Sequence, residues 1–312
     1  MKRILRAAAM LLSSTLLFAG CSPQQSEQEL GNDKLSVYAS FYTMYDFAQK
    51  IGGDKAQITV LVPDGTEPHD WEPAAADIAG LQNADLFIYS GAGMEHWAED
   101  ILTSINPSAL IVVEASKGIA LRDGEHEEAD EAGGHDEHGG IDPHVWLDPK
   151  NAKKELEAIK NAFMQADPNN ATYYEANYEK WAKEFDALDE EFRTALSSLP
   201  KKEIIVSHEA YGYLCAAYGL TQIGIEGLTP DSEPDPGRMA EIIEFAREKG
   251  VTTIFFEELL SPDVANAIAL ETGAKTAVLS PIEGLTDEER ASGADYISVM
   301  RKNLDALEEG LG

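Results

Sequence analysis

The sequence predicts an α/β protein of two lobes joined by one long helix. Three observations carry this. Short apolar runs alternate with helical stretches from residue 34 onward. The alternation restarts after residue 200. Between the halves, one apolar stripe persists at helical spacing from Tyr174 to Leu196.

The N-terminal segment comes first. Lys2, Arg3 and Arg6 precede an apolar run, Ala7 to Ala19, too short to span a bilayer as a mature helix. It ends Leu17-Phe18-Ala19-Gly20-Cys21, which resembles the lipobox of bacterial lipoproteins, with Phe18 where leucine is usual. Residues 1–20 are therefore expected to be a signal peptide and Cys21 the lipidated N-terminus. Polar, aperiodic residues 21–33 follow as a tether.

The first lobe is expected over 34–167. Its strand candidates are Leu35–Ser40, Gln57–Val62, Asp85–Ser90 and Leu110–Glu114, each short, apolar and bounded by polar or turn residues, as buried parallel strands are. Helices fit at Met44–Ile51 and Pro73–Asn83. Residues 123–140 interrupt the pattern: 123–138 alone hold eight carboxylates, three of the seven histidines and no basic residue, and self-repulsion with low hydrophobicity predicts a disordered loop.

The linking helix is expected over 168–199, with Asp167 as cap, Pro168 in the first turn and Pro200 as its end. Tyr174, Tyr178, Trp181, Phe185, Leu188, Phe192 and Leu196 recur at steps of three and four, so one face should pack as a stiff strut along both lobes. A second chain zipped onto this stripe is the alternative; one short stripe inside a globular chain favours a monomer.

The second lobe, 200–312, repeats the plan. Strands are expected at Glu203–Ser207, Thr221–Glu226, Thr252–Glu257 and Lys275–Ser280, and helices at Glu209–Tyr218, Pro236–Lys249 and Pro262–Thr272. Pro236 and Pro262 suit a first helical turn, where a missing N–H costs nothing.

The formal charge of −32 excludes nucleic acid and anionic lipid as electrostatic partners, and it favours cations. Cys215 is the only cysteine besides Cys21, so no internal disulfide framework exists, and between Leu214 and Ala216 it reads as a small buried apolar residue.

Three motifs carry the chemistry: EPHDWEP at 67–73, DPHVWLDP at 142–149 and SHEAYGYL at 207–214. Neutral imidazole offers a lone pair near physiological pH. His69, His144 and His208 all fall beyond the carboxyl ends of predicted strands, where open α/β sheets bind ligands. Glu283 occupies the same place after Lys275–Ser280, beside Gly284. A cleft between the lobes would gather three imidazoles and one carboxylate, a set that suits zinc, whereas manganese favours more oxygen. Trp71 and Trp146 would wall the site or fill the core. Asp142 and Asp148 could orient His144 or cap the helix that follows. Glu209 would open a helix. His96, in GMEHWAED, lacks a strand-end position and reads as surface.

Taken in order, EPHDWEP, the acidic His-rich loop, DPHVWLDP, the long helix, SHEAYGYL and SPIEGLTDEE at 280–289 resemble the cluster A-I metal-binding proteins that feed zinc or manganese to ABC importers. The zinc branch, ZnuA-like and AdcA-like, is the most similar, and the resemblance runs from Leu35 to about Leu307. It implies two (β/α)4 lobes with mainly parallel four-stranded sheets joined by a rigid helix, the metal held between them. It carries ligand roles onto His69, His144, His208 and Glu283; some zinc-binding relatives place water in the fourth position. Manganese-binding relatives put a carboxylate where His208 stands, which supports Zn2+ over Mn2+.

The expected function is then capture of Zn2+ outside the cytoplasmic membrane and delivery to an ABC importer permease, the chain being held to the membrane by lipid on Cys21. His126, His135 and His138 would add weak metal sites. The alternatives are a membrane-anchored zinc hydrolase, and a manganese-binding or adhesin protein of the same fold. A hydrolytic zinc needs an open coordination position and a base within reach. Four protein ligands would close the sphere, and no HExxH pairing is present.

Overall fold

Residues 34–105, 110–124, 140–230 and 234–312 are described by a computed structural model. Lys34–Gly312 forms one compact unit holding two four-stranded sheets.

The first sheet contains β1 (Leu35–Ala39), β2 (Ala56–Val60), β3 (Leu86–Tyr89) and β4 (Ile111–Glu114). Its strands lie in the order β2-β1-β3-β4, all parallel, with Val37 opposite both Ile58 and Leu86. The second contains β5 (Glu203–Val206), β6 (Thr221–Gly224), β7 (Thr253–Phe256) and β8 (Lys275–Val278), in the equivalent order β6-β5-β7-β8 and again parallel. The fold is thus the two-lobed α/β architecture expected. Each predicted strand forms, one to two residues shorter at an end, where the chain leaves the ladder for a loop.

Helices α1 (Tyr42–Gly52), α2 (Ala75–Leu81) and α3 (Ala98–Ser104) connect the first sheet. Then α4 (Pro149–Ala166) runs into α5 (Ala171–Ser197), and α6 (Gly212–Tyr218), α7 (Pro236–Lys249), α8 (Asp263–Thr272), α9 (Asp287–Ser292) and α10 (Tyr296–Leu311) complete the second lobe. Local chemistry sets several boundaries. Pro236 takes the first position of α7, and Asp235 accepts from the N–H groups of Gly237 and Arg238. Thr286 and Glu289 cap each other at the start of α9. Gly250 ends α7 in the left-handed conformation.

The linking helix departs from expectation at its start. Pro168–Asn170 forms a 3-10 turn, and α5 begins only at Ala171. The residue at the N-cap of α5 is Asn170, not Asp167. The Asp167 carboxylate accepts from Asn170 Nδ2 and Tyr174 OH, which fixes the α4–α5 corner. Pro262 stands just before α8 rather than in its first turn. Helix α6 starts at Gly212, not Glu209, because Ser207–Tyr211 is spent shaping the His208 loop.

The stripe on α5 packs as its spacing requires. Tyr174, Phe185, Leu188, Phe192 and Leu196 are buried in a core that also contains Phe47, Trp146 and Phe163 of the first lobe and Leu214, Phe255 and Tyr296 of the second. One continuous core therefore crosses both lobes, and separating them would expose it to water. Polar ties cross the same boundary: Lys50 Nζ lies 2.8 Å from Asp295, and Tyr296 OH donates to Trp146 O at 2.6 Å.

Candidate metal centre

In each sheet the strand order reverses beside the first strand, and the crevice outside such a point is where open α/β sheets hold ligands. His208 follows β5 and Glu257 follows β7, the two strands flanking that point in the second sheet. Glu283 follows β8, and His69 lies in the loop after β2. His144 enters from the segment between β4 and α4.

These loops meet. His69, His144, His208 and Glu283 each present one donor atom, all within 4.8 Å of one another. His144 Nε2 is 3.2 Å from His69 Nε2 and 3.1 Å from His208 Nε2. Glu283 Oε1 lies 3.1 Å from His144, 3.3 Å from His69 and 3.6 Å from His208, measured to each Nε2. Donors bound tetrahedrally at about 2.0 Å from zinc stand about 3.3 Å apart, so these spacings match the edges of a zinc tetrahedron. Glu283 Oε1 is buried yet makes no properly angled hydrogen bond. An anionic oxygen aimed at three imidazole nitrogens, with no donor of its own, suits a cation at the centre.

Two rings are fixed by carboxylates behind them. Asp142 Oδ1 accepts from both the backbone N–H and Nδ1 of His144. Glu257 Oε1 accepts from Nδ1 of His208 at 2.7 Å. A proton held on Nδ1 leaves the Nε2 lone pair pointing into the site. His69 is held through its backbone, whose N–H donates to Glu67 Oε1 at 2.9 Å. Asp148 does the other job considered for it: its side chain accepts from Lys150 N and caps α4.

Electrostatics follow from burial and these pairings. Burial lowers the His69 pKa. Burial also works against protonated His144, but the carboxylates of Asp142 and Glu283 beside it outweigh burial and raise the ring above its ordinary value. His208 is raised further, as the Glu257 charge overcomes burial. Burial opposes ionised Glu283, yet the surrounding histidines hold it well below the usual carboxylate range. Glu67 is pushed up to about 8, by burial first and then by the Glu283 charge.

His144 and His208 are fully buried, whereas His69 keeps slight exposure. A cavity of about 690 Å³ opens onto His69, lined also by Asp70, Met94, Glu114 and Leu228. An ion would reach the donors from this side. His96 lines the same cavity with an exposed side chain 3.8 Å from Glu72, on the surface as expected and apart from the four donors. Trp146 is fully buried against His144 and donates to Pro281 O, walling the inner side of the site, while Trp71 packs half-buried against Trp97. Cys215 is buried. Cys21, His126, His135 and His138 lie outside the described residues. Sequence reasoning missed Glu257 and Glu67. Glu257 ends an apolar strand run, the same signal that singled out Glu283, and Glu67 sits inside a quoted motif.

Residues 37–310 match the family model described as ZnuA, zinc-uptake complex component A, periplasmic. The chain belongs to this family. The high-affinity zinc uptake system protein ZnuA of Bacillus subtilis is 43% identical over 300 residues, 95% of this chain and 94% of that protein. Among ZnuA-like solved structures, Zn(II)-bound AdcA from Streptococcus pneumoniae is 36% identical with a TM-score of 0.78, covering 89% of this chain; the chain spans 58% of AdcA's length. The laminin-binding protein Lmb of Streptococcus agalactiae, described as having adhesin and metal-transporting activity, superposes with a TM-score of 0.80 at 33% identity over 89% of this chain and all of that one.

Proposed function

We propose that this ZnuA-family chain captures Zn2+ outside the cytoplasmic membrane and passes it to the permease of an ABC importer, without catalysis. The observation that carries the reading is the buried donor set: Nε2 of His69, His144 and His208 with a carboxylate oxygen of Glu283. Three neutral imidazoles and one carboxylate match zinc's ligand preferences and leave no open position for hydrolytic water. The names of the relatives, zinc uptake and zinc-binding, agree. Among the described residues no helix is long and apolar enough to cross a membrane. Cys21 would supply the lipid anchor, 34–167 and 200–312 the two lobes, and 168–199 their link. His126, His135 and His138 would add weak sites that raise the local cation concentration; a zinc titration of the chain lacking 124–139 separates them from the tight site.

The test is competition against a zinc chelator. His208→Ala should lose more than the about 10–100-fold typical of outer-shell changes, while His96→Ala binds as the parent does. Equal binding by the two variants would sink the ligand assignment. A second role in adhesion is favoured only by the likeness to Lmb, and laminin binding by the zinc-loaded chain is its direct assay.

A further inference from the structure

Glu283 is held by a backbone that its own residue types disfavour. Ile282, immediately before it, has φ 60°, and Ala92 is the only other described non-glycine residue in that region. A β-branched side chain there is a genuine outlier that persists only where its surroundings impose it. Ile282 is fully buried in the core shared by both lobes.

The surroundings that impose it are specific. Ile282 O accepts from Thr43 Oγ1 at 2.5 Å, and Thr43 is a fully buried residue in the first turn of α1, in the opposite lobe. Ile282 N donates to Ser280 Oγ at 3.3 Å. One residue earlier, Pro281 O accepts from Trp146 Nε1 at 2.7 Å, again across the lobes. At the base of the loop, Asn303 on α10 bonds both the N–H and the C=O of Ser280. Asn303 anchors the loop to its own lobe; Thr43 and Trp146 anchor it to the lobe that supplies His69 and His144. Of these contacts, only the Thr43 bond grips the strained residue from across the boundary.

We propose that Thr43 is a positioning residue for the metal site: its hydroxyl holds the Ile282 peptide in the left-handed conformation and so sets Glu283 Oε1 at tetrahedral distance from the first lobe's histidines. The inference rests on the zinc-capture reading above. Without the hydroxyl, Ile282 would relax toward an ordinary φ, and the carboxylate would swing from the common point. A rigid four-donor set favours a small tetrahedral ion, and a loosened carboxylate gives up part of that preference.

A double-mutant cycle tests this, with Zn2+ in chelator competition as the probe. Thr43→Val keeps the side chain's shape and removes its hydroxyl. It should weaken zinc binding about tenfold, the worth of one well-placed hydrogen bond. Thr43→Ser should restore parental binding. Combined with Glu283→Ala, Thr43→Val should cost nothing further, because no carboxylate remains to be placed. Equal losses in both backgrounds, unchanged affinity in Thr43→Val, or failure of Thr43→Ser to rescue would each overturn the proposal. Should Thr43→Val not fold by circular dichroism, Thr43→Ala carries the same comparison. If Glu283→Ala alone binds zinc as the parent does, the fault lies in the four-ligand reading itself, a result distinct from the others.

Discussion

Asp142 grips His144 twice: one carboxylate oxygen accepts from the backbone N–H and from Nδ1 of the ring, each at 2.9 Å. The pair of hydrogen bonds fixes both where the imidazole sits and which nitrogen faces the other donors. Asp148, four residues after His144, has a similar sequence setting and a different task, the cap of α4. The two should separate on substitution. Asp142→Ala should weaken zinc binding about 10–100-fold. Asp148→Ala should leave zinc binding unchanged and cost about 1 kcal/mol of folding stability. Zinc competition and urea melts on the two variants check this; a zinc defect in Asp148→Ala would contradict it.

Proton competition should begin early. Zinc needs neutral imidazoles, and His144 and His208 are held above their ordinary value by Asp142, Glu257 and Glu283. As pH falls, these rings take up protons before a free histidine would, at about 6.5. Zinc affinity should therefore decline as pH is lowered, and the decline should already be under way above about pH 6.5. Affinity measured from about pH 8 to about pH 6 that stayed flat would count against imidazole ligation.

A second pH effect should be independent of zinc. Glu155 on α4 is fully buried, with Ser90 Oγ at 3.5 Å and one carboxylate oxygen without a hydrogen-bond partner. Burial, and then the charge of Glu95, push its pKa well above the usual carboxylate range. An acid whose folded pKa is raised stabilises the fold while it is protonated, and that contribution is lost as pH rises through the folded value. Glu155→Gln keeps the shape without the ionisation. Its melting temperature relative to the parent should climb as pH goes from about 6 to about 9; a gap that narrows over that range would refute the assignment.

Much of this was legible in the residues. Eight apolar runs became eight strands because β-branched residues between turn signals leave little alternative. The four donors were singled out because each follows a strand on the face where such sheets bind ligands. What escaped depends on distant neighbours. Nothing local to Pro168 shows that the first turn of the link would tighten to 3-10. Glu209 has helix-start chemistry, yet its N–H is taken by Gly227 O, which keeps it in the loop. Glu257 acts through His208, 49 residues earlier. The left-handed Ile282 is written nowhere in its own sequence, since Thr43, 239 residues before it, helps to impose it.

In the proposed zinc-capture function, three imidazoles and one carboxylate would hold a single zinc ion between the lobes. X-ray absorption at the zinc edge of the loaded protein, at one ion per chain, measures this directly. Four nitrogen or oxygen neighbours at about 2.0 Å, three with the outer-shell scattering of imidazole, are predicted. A six-coordinate ion, or one carrying fewer than three imidazoles, would contradict the account.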